Sequence, residues 1–442
     1  MPLKKTCKKC VLILLDGLGD RAYESLDGQT PLQAAHTPTL DRLAALGANG
    51  LYHAARPGMA LPGEYAHFAM FGYRPAEFPG RGALEALGAG ISLGPDDVAI
   101  LSHFAAIHAE DGRLILDNGE LEGTEAEVKE LIAAVGFFEQ DGLRIRFHRT
   151  EGLHGILTLQ GEVSPRVTDT DPVLPGRPLS SVKPFADSAH DPAAMNTARV
   201  LRSYLLWAHR RLASHAVNRT RKEAGAPLLN GLVTQRAGRL KRVPFFRERY
   251  GLAGISVASG FVYRGLSAYI GLDFHTMADT DDPETDIADR LTAARDLLGR
   301  YDFLHVHTEA PDQVAHTKSP EDKKAVIESL DRGIANAIDP ILNDPEVMIA
   351  LTADHSTPSR GPLIHSGEPV PLTFCGPGIR KDLIGRFDEI HAAGGALGFI
   401  RGKEFMLLVL NHLDKAKLHG LMDTPLDQHY WPGDYEYFRI KE

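Results

Sequence analysis

Three near-continuous apolar runs constrain the fold of this 442-residue chain more than any other feature. They are VLILLDG at 11–17, FLHVHTEA at 303–310 and VMIALTADHS at 347–356. Strands buried on both faces of a parallel sheet have this composition, whereas strands with one wet face alternate apolar and polar residues. Segments with helical spacing, TDIADRLTAARDLLGRY and SPEDKKAVIESLDRGIANAI, precede the second and third runs. This alternation predicts a doubly wound α/β sheet.

A different pattern between residues 100 and 185 predicts an inserted domain. GRLILDNG, LRIRFHR and GILTLQG alternate apolar and polar residues, as strands with one exposed face do, and TEAEVKELIAAVGFF predicts one amphipathic helix. We therefore expect residues 100–185 to form a smaller α+β domain. Residues 1–99 and 186–442 are expected to form the larger domain.

The bulk composition limits the class of partner. The formal net charge of −10 argues against nonspecific binding to nucleic acid or to an acidic membrane. No apolar run reaches the roughly 18 residues that a membrane span requires. Three cysteines cannot build a disulfide framework, which favours a reducing, cytoplasmic location. We therefore expect a small-molecule substrate, no nucleic acid and no membrane, while the oligomeric state stays open.

Acidic and imidazole side chains follow each of the three apolar runs. They are, in chain order, Asp16, Asp312, His316, Asp354, His355 and His365. Ligands of open α/β sheets bind outside the carboxyl ends of the strands, where these residues fall. Singly, each has an ordinary structural explanation, such as a turn or a helix cap. Together, three carboxylates and three imidazoles suit two divalent ions, Mn²⁺ or Zn²⁺, about 4 Å apart and bridged by a phosphoryl oxygen.

Eight segments, in order along nearly the whole chain, carry a resemblance to a known family. They are LILLDGLGDR, LDGQTPLQAAHTPTLDRLAALGANG, GRGALEALGAGISLGPDDVA, VTDTDP, APDQVAH, TADHSTP, HSGEPVPL and FDEIHAAGGALGFIRGKEFM. The chain resembles the archaeal-type cofactor-independent (2,3-bisphosphoglycerate-independent) phosphoglycerate mutases of the alkaline phosphatase superfamily. This implies an alkaline-phosphatase-like fold with two metals. The implied sites are Asp16, Asp354 and His355 with the nucleophile, and Asp312, His316 and His365.

The resemblance fails at the nucleophile, in PGMALPGEYAHFAMFGY at 57–73. Counted without a gap to His67, the serine that the family phosphorylates falls on Gly63, and the acidic residue after it falls on Glu64. Glycine cannot form a phosphoenzyme, and the chain has no serine or threonine between residues 51 and 73.

Cations of the family are also missing. Glu309 stands where the family has a lysine, and Asn118, Gly119, Glu122 and Gly155 stand where its inserted domain has arginines. Arginine and lysine are the natural holders of phosphate and carboxylate, so these changes predict weaker binding of phosphoglycerate. Because all six ligand positions are kept, we expect the metals to act on a different or less anionic substrate.

We therefore predict a divergent dinuclear-metal enzyme that acts on a phosphorylated or phosphonate-like small molecule. Metal-activated water would replace the phosphoserine. Glu64 or Glu309 is the candidate general base or additional ligand, and ordinary polar substitution in a loop is the alternative for both. Recruitment of Tyr65 or Ser102 as a replacement nucleophile is a further alternative.

Two other functions stay open. One is the phosphoglycerate mutase reaction itself, interconverting 2- and 3-phosphoglycerate through a different alignment of the nucleophile segment. The other is a catalytically inactive metal-binding homologue. His67, Asp171 and Arg236 are further candidates for substrate contact. His67 has a structural alternative, and Asp171 has an alternative role in holding the domain junction.

Overall fold

The computed structural model describes residues 7–119 and 121–440. The strands of this part of the chain are β1 (Lys9–Leu15), β2 (Ala48–His53), β3 (Val98–Glu110), β4 (Arg113–Asn118), β5 (Phe137–Gln140), β6 (Leu143–Arg149), β7 (His154–Gln160), β8 (Gly231–Gly238), β9 (Gly254–Ala258), β10 (Asp273–Thr276), β11 (Phe303–Thr308), β12 (Val347–Thr352), β13 (Val370–Cys375) and β14 (Gly398–Arg401).

Its α-helices are α1 (Pro31–Ala34), α2 (Pro38–Ala45), α3 (Gly63–Met70), α4 (Arg81–Gly88), α5 (Glu125–Val135), α6 (Pro192–Ala213), α7 (Ala216–Glu223), α8 (Phe246–Tyr250), α9 (Phe261–Ile270), α10 (Pro283–Leu297), α11 (Ala310–His316), α12 (Pro320–Ala337), α13 (Asp339–Leu342), α14 (Glu389–Ala392) and α15 (Glu404–His412). The chain divides into two compact units. Unit 1 is Met1–Phe78, Val243–Gly260 and Ser267–Glu442, and unit 2 is Pro79–Arg242 and Phe261–Leu266.

Unit 1 contains an eight-stranded sheet in the order β10-β9-β11-β1-β12-β13-β2-β14. Only β13 runs antiparallel to its neighbours in this described sheet; the other pairs are parallel. The three predicted apolar strands are β1, β11 and β12, which lie side by side. Nearly every residue in them is buried, which explains their continuous apolar runs. The predicted doubly wound α/β sheet is confirmed.

The two predicted helices of unit 1 are α10 and α12, which pack against each other. Each begins at a side-chain cap. Asp282 accepts hydrogen bonds from the Glu284 and Thr285 amides, and Ser319 accepts one from the Asp322 amide. The buried stripe of α12 includes apolar residues at helical spacing and also one lysine, Lys323, which the apolar pattern alone did not single out.

Unit 2 is built on a second, antiparallel sheet in the order β4-β3-β7-β6-β5, with β8 paired to β3. The predicted amphipathic helix is α5, capped by Thr124. The predicted insert, 100–185, lies within this unit, which extends beyond it on both sides. The larger extent has a packing reason, because α6 buries Leu201 and Tyr204 in the same core and β8 completes the sheet.

Among the residues that the structure describes, no helix combines the length and the apolar character that crossing a membrane requires.

Candidate metal centre

Asp16 and Asp354 stand at the carboxyl ends of the neighbouring strands β1 and β12. The register pairs Leu14 with Thr352, so the two strands end nearly level. The backbone amide of Asp16 donates to the Thr308 carbonyl at the end of β11, 3.0 Å away. Because parallel strands end at one edge of the sheet, residues far apart in sequence meet there.

The first cluster consists of Asp16, Asp354 and His355, all buried. His355 Nε2 lies 3.2 Å from Asp16 Oδ1 and 3.3 Å from Asp354 Oδ2. On the far side of the ring, Nδ1 of His355 lies 3.1 Å from the Thr357 hydroxyl, which in turn donates to Asp312. A proton on Nδ1 that is donated to Thr357 leaves the Nε2 lone pair facing the two carboxylates, as in a metal-binding histidine.

The second cluster consists of Asp312, His316 and His365 and is more exposed than the first. Asp312 and His316 lie one turn apart on α11, with His316 Nε2 3.2 Å from Asp312 Oδ2. His365 Nε2 lies 3.6 Å from Asp312 Oδ1, while its Nδ1 donates to the Leu61 carbonyl at 2.7 Å. The rings of His355 and His365 stack with centroids 3.9 Å apart, so the two clusters adjoin.

Burial and mutual repulsion perturb the carboxylates. Burial, followed by the charges of Asp354 and Asp312, raises the pKa of Asp16 well above its ordinary value. Burial likewise raises the pKa of Asp354, to about 7. Burial also opposes ionisation of Asp312, but the hydrogen bond with His316 and the nearby imidazoles bring its pKa below the ordinary range. A bound cation would relieve the repulsion between these carboxylates.

Burial favours the neutral form of two imidazoles, those of His355 and His365. Burial, and then the charge of His365, lowers the pKa of His355 well below its ordinary value. Burial also lowers the pKa of His365. Neutral imidazole is the form that binds metal, so burial prepares both side chains as ligands.

The donor atoms fit divalent metals. Two ligands about 2.1 Å from one ion, at tetrahedral or octahedral angles, lie about 3.0–3.4 Å apart. The separations of 3.2 and 3.3 Å in the first cluster agree, and those of 3.2 and 3.6 Å in the second are close. Mixed carboxylate and imidazole ligands suit Zn²⁺ or Mn²⁺.

A glycine allows the two clusters to approach. Gly17, directly after Asp16, has φ +62°, a left-handed conformation that glycine adopts readily. A Cβ atom at this position would lie 2.6 Å from Asp312 Oδ1 and 2.7 Å from Thr357 Oγ1. The loop after β1 must therefore have glycine at position 17 for Asp312 to lie next to the first cluster.

Helix α3 brings Gly63, Glu64 and His67 to the same centre. Gly63 is the first residue of the helix, and Glu64 is 3% exposed. His67 Nδ1 lies 2.8 Å from the Gly63 carbonyl oxygen and 3.3 Å from Asp354 Oδ2. The position that the resemblance assigns to the nucleophile thus lies beside the first cluster. Tyr65, the suggested replacement nucleophile, packs its ring against Phe78.

Glu309 follows β11 and precedes the first turn of α11. Its negative charge contributes to raising the pKa of Asp16. Burial lowers the pKa of His67, and the charge of Glu309 partly offsets that lowering. The charge of Glu64 likewise partly offsets the lowering, by burial, of the pKa of His67 and of His365. Both glutamates therefore belong to the electrostatic surroundings of the centre.

Two histidines on β11 were missed by the sequence analysis. His305 and His307 alternate with apolar residues on one face of the strand, and His67 packs on that face with ring centroids 5.3 and 4.9 Å away. His307 Nε2 lies 2.9 Å from Asp16 Oδ2. Two histidines at period-two spacing inside a fully buried strand were the signal that could have identified them.

Unit 2 holds the remaining candidates around a cavity of about 710 Å³. Asp171 accepts a hydrogen bond from Gln235 Nε2 at 2.6 Å and lies 3.7 Å from His103 Nε2. Arg236, with φ +54°, donates its backbone amide to Asp169.

The same cavity is lined by other positions that the sequence analysis named. Two of the expected arginine positions, Gly119 and Gly155, lie in its wall. Ser102, the other suggested replacement nucleophile, also lies in its wall and is buried. The wall therefore lacks two of the cations that the resemblance predicts.

Known proteins resemble both the sequence and the structure. The family model described as 2,3-bisphosphoglycerate-independent phosphoglycerate mutase matches residues 44–218. A protein of that name, numbered 2, from Methanocaldococcus jannaschii is 37% identical, over 97% of this chain and 98% of its own length. Another of that name from Methanopyrus kandleri is 36% identical, over 93% of this chain and 98% of its own.

Solved structures agree. A Pyrococcus horikoshii protein superposes with a TM-score of 0.75 at 30% identity, covering 94% of this chain and all of its own. A cofactor-independent phosphoglycerate mutase from Thermoplasma acidophilum gives a TM-score of 0.62 at 29% identity, covering 91% of this chain and 99% of its own.

Proposed function

The chain belongs to the family of 2,3-bisphosphoglycerate-independent phosphoglycerate mutases, and we propose that it transfers the phosphoryl group of a small molecule to water. It is a metal-dependent enzyme of the phosphoryl-transferase or mutase type. One observation supports the proposal. Six candidate ligand side chains converge in two adjoining clusters, while glycine occupies the helix start that the resemblance assigns to the phosphorylated serine.

The first cluster and the second would each hold one divalent ion. Bound ions of this kind polarise a phosphoryl group and lower the pKa of water. The chain's contribution is to fix the ligands. Thr357 links His355 to Asp312, and the Leu61 carbonyl fixes the ring of His365, so both imidazoles keep one tautomer and orientation.

Without a hydroxyl at Gly63, the phosphoryl acceptor is water. The water oxygen bonds to phosphorus as the ester P–O bond breaks, and the leaving alkoxide takes up the proton that the attacking water has given to the acceptor. A proton acceptor must take the proton that the water loses. Glu64 is our candidate, because it is buried beside the position of the lost hydroxyl and its charge reaches both His67 and His365.

The charged side chains that line the cavity of unit 2 suit a ligand with less negative charge than phosphoglycerate. Its wall includes the cations Arg81 and Arg236, but also Glu85 and Asp171. Arg81 is already paired with Glu85 at 2.6 Å. A wall of mixed charge suits a polar ligand with one anionic group better than one with several. We therefore propose Asp171 and Arg236 as ligand contacts.

Interconversion of 2- and 3-phosphoglycerate is the second candidate, and the names of the relatives favour it. It requires a group in the chain that carries the phosphoryl between the two oxygens of the substrate. Residues 51 to 73 contain no serine or threonine to do so.

The test compares both reactions on Mn²⁺-loaded protein. A coupled mutase assay and a phosphate-release assay with 2-phosphoglycerate, 3-phosphoglycerate and p-nitrophenyl phosphate are run on the unmodified chain and on Gly63→Ser. Gly63 is the first residue of α3 and is not among the positive-φ residues, so the backbone conformation is one that serine adopts. Gly299→Ser, at an open position of unit 1, is the matched control.

Phosphate release by the unmodified chain without mutase turnover supports the proposal. Mutase turnover by the unmodified chain refutes it and establishes the second candidate. No activity of either kind, with metal bound, favours an inactive metal-binding homologue.

A further inference from the structure

Asp16 has an imidazole against each of its carboxylate oxygens. Oδ1 faces His355 Nε2 at 3.2 Å, inside the first cluster, and Oδ2 faces His307 Nε2 at 2.9 Å, outside it. A carboxylate can bridge two cations, one at each oxygen, when a further ligand atom lies beside each of those oxygens. Two ligands about 2.1 Å from an octahedral ion lie about 3.0 Å apart, so the separation of Asp16 and His307 suits a shared ion.

His67 completes a third group of donor atoms. Ligand atoms of Asp16, His67 and His307 lie within 4.8 Å of one another, and all three residues are buried. When Nδ1 of His67 donates to the Gly63 carbonyl, the lone pair of the ring is on Nε2. The backbone of α3 thus selects the tautomer of this ring, as a carbonyl does for a metal-binding histidine.

We propose that Asp16, His67 and His307 form a third divalent-cation site that shares Asp16 with the first cluster. Two imidazoles and one carboxylate form a donor set for Zn²⁺ or Co²⁺. His305 is the neighbour that stays outside it. Its Nδ1 lies 2.8 Å from the Ser256 hydroxyl, and it is not part of the group of donor atoms.

The charge of the centre gives the third ion a function. Five carboxylates act on it, namely Asp16, Asp312, Asp354, Glu64 and Glu309. A third divalent ion would add two positive charges to this acidic centre and so strengthen its attraction for a phosphate ester.

The test counts bound metal rather than activity. The full-length chain and its variants are stripped with chelator, loaded with Co²⁺, freed of excess by gel filtration, and measured by elemental analysis and by the visible Co²⁺ absorption. We expect three equivalents for the unmodified chain and two for His307→Gln. His305→Gln, a buried histidine on the same face of β11, is the matched control and should keep three. His67→Gln serves as a second variant should His307→Gln fail to fold, as judged by circular dichroism.

Two equivalents in the unmodified chain, or three in His307→Gln, would overturn the proposal and leave His307 as a hydrogen-bond partner of Asp16. The count is independent of the proposed reaction. Three equivalents without phosphate release would refute the proposed function alone, whereas phosphate release with two equivalents would refute the third site alone.

Discussion

The ammonium group of Lys323 lies 3.2 Å from Oδ2 of Asp20, and both side chains are fully buried. The same Nζ donates to the carbonyls of Gly17 and Gly19, at 2.8 and 2.9 Å, and to that of Thr357 at 2.7 Å. One cation on α12 thereby ties the loop after β1 to the loop after β12. These loops carry Asp16 and the Asp354–His355 pair of the first cluster.

Lys323→Met should destabilise the fold strongly. Removing one member of a buried ion pair leaves the other charge uncompensated, at a cost of about 3–5 kcal/mol. Urea unfolding followed by circular dichroism measures the loss. Lys324→Met is the matched control, since Lys324 forms a partly exposed helix pair with Glu328 and should cost less than about 1 kcal/mol. Equal losses in the two variants would contradict the role given to Lys323.

His365→Gln should lose one equivalent of metal and most of the activity. Outer-shell partners of metal ligands are worth about 10–100-fold, so removal of a ligand should cost at least about 100-fold in turnover. Elemental analysis and the phosphate-release assay measure the two effects. His275→Gln, an exposed histidine of unit 1, is the control and should change neither. Unchanged metal content in His365→Gln would remove His365 from the second site.

Glu64→Gln should lower kcat by about 10²–10⁴-fold with little change in metal content, because a general base contributes about that much. The assay is phosphate release under saturating substrate. Glu309→Gln tests the competing glutamate in the same way. If Glu309→Gln alone loses activity, the proton acceptor is Glu309; if both variants lose a metal, the glutamates are ligands.

Glu389 should make stability fall with rising pH. Burial raises the pKa of Glu389 to about 7, so between its ordinary value and pH 7 the folded chain holds a proton that the unfolded chain releases. The free energy of unfolding therefore falls by about 3 kcal/mol as the pH rises through this window. Glu389→Gln lacks this titration. Its stability relative to the unmodified, metal-free chain should rise from pH 4.5 to pH 8 in urea unfolding. A difference that stays constant over this range would refute the prediction.

Local features of the sequence determined the strands and most of the first two clusters. The buried runs predicted β1, β11 and β12, because strands covered on both faces need apolar residues throughout. Strand ends located Asp16 and Asp354, and the i, i+4 spacing placed Asp312 and His316 on one helical turn. These conclusions need only the period of a helix or strand and the rule that parallel strands end together.

Tertiary structure decided what meets across long stretches of chain. No local sequence pattern indicates that His307 contacts the second oxygen of Asp16, 291 residues earlier. Nor does any indicate that Lys323 donates hydrogen bonds to the loop after β1. Sheet order and register fix the first contact, and the packing of α12 fixes the second. The extent of unit 2 depends in the same way on how α6 and β8 pack. Periodicity reports which face of an element is buried, whereas the partners on that face are set by the packing of the whole domain.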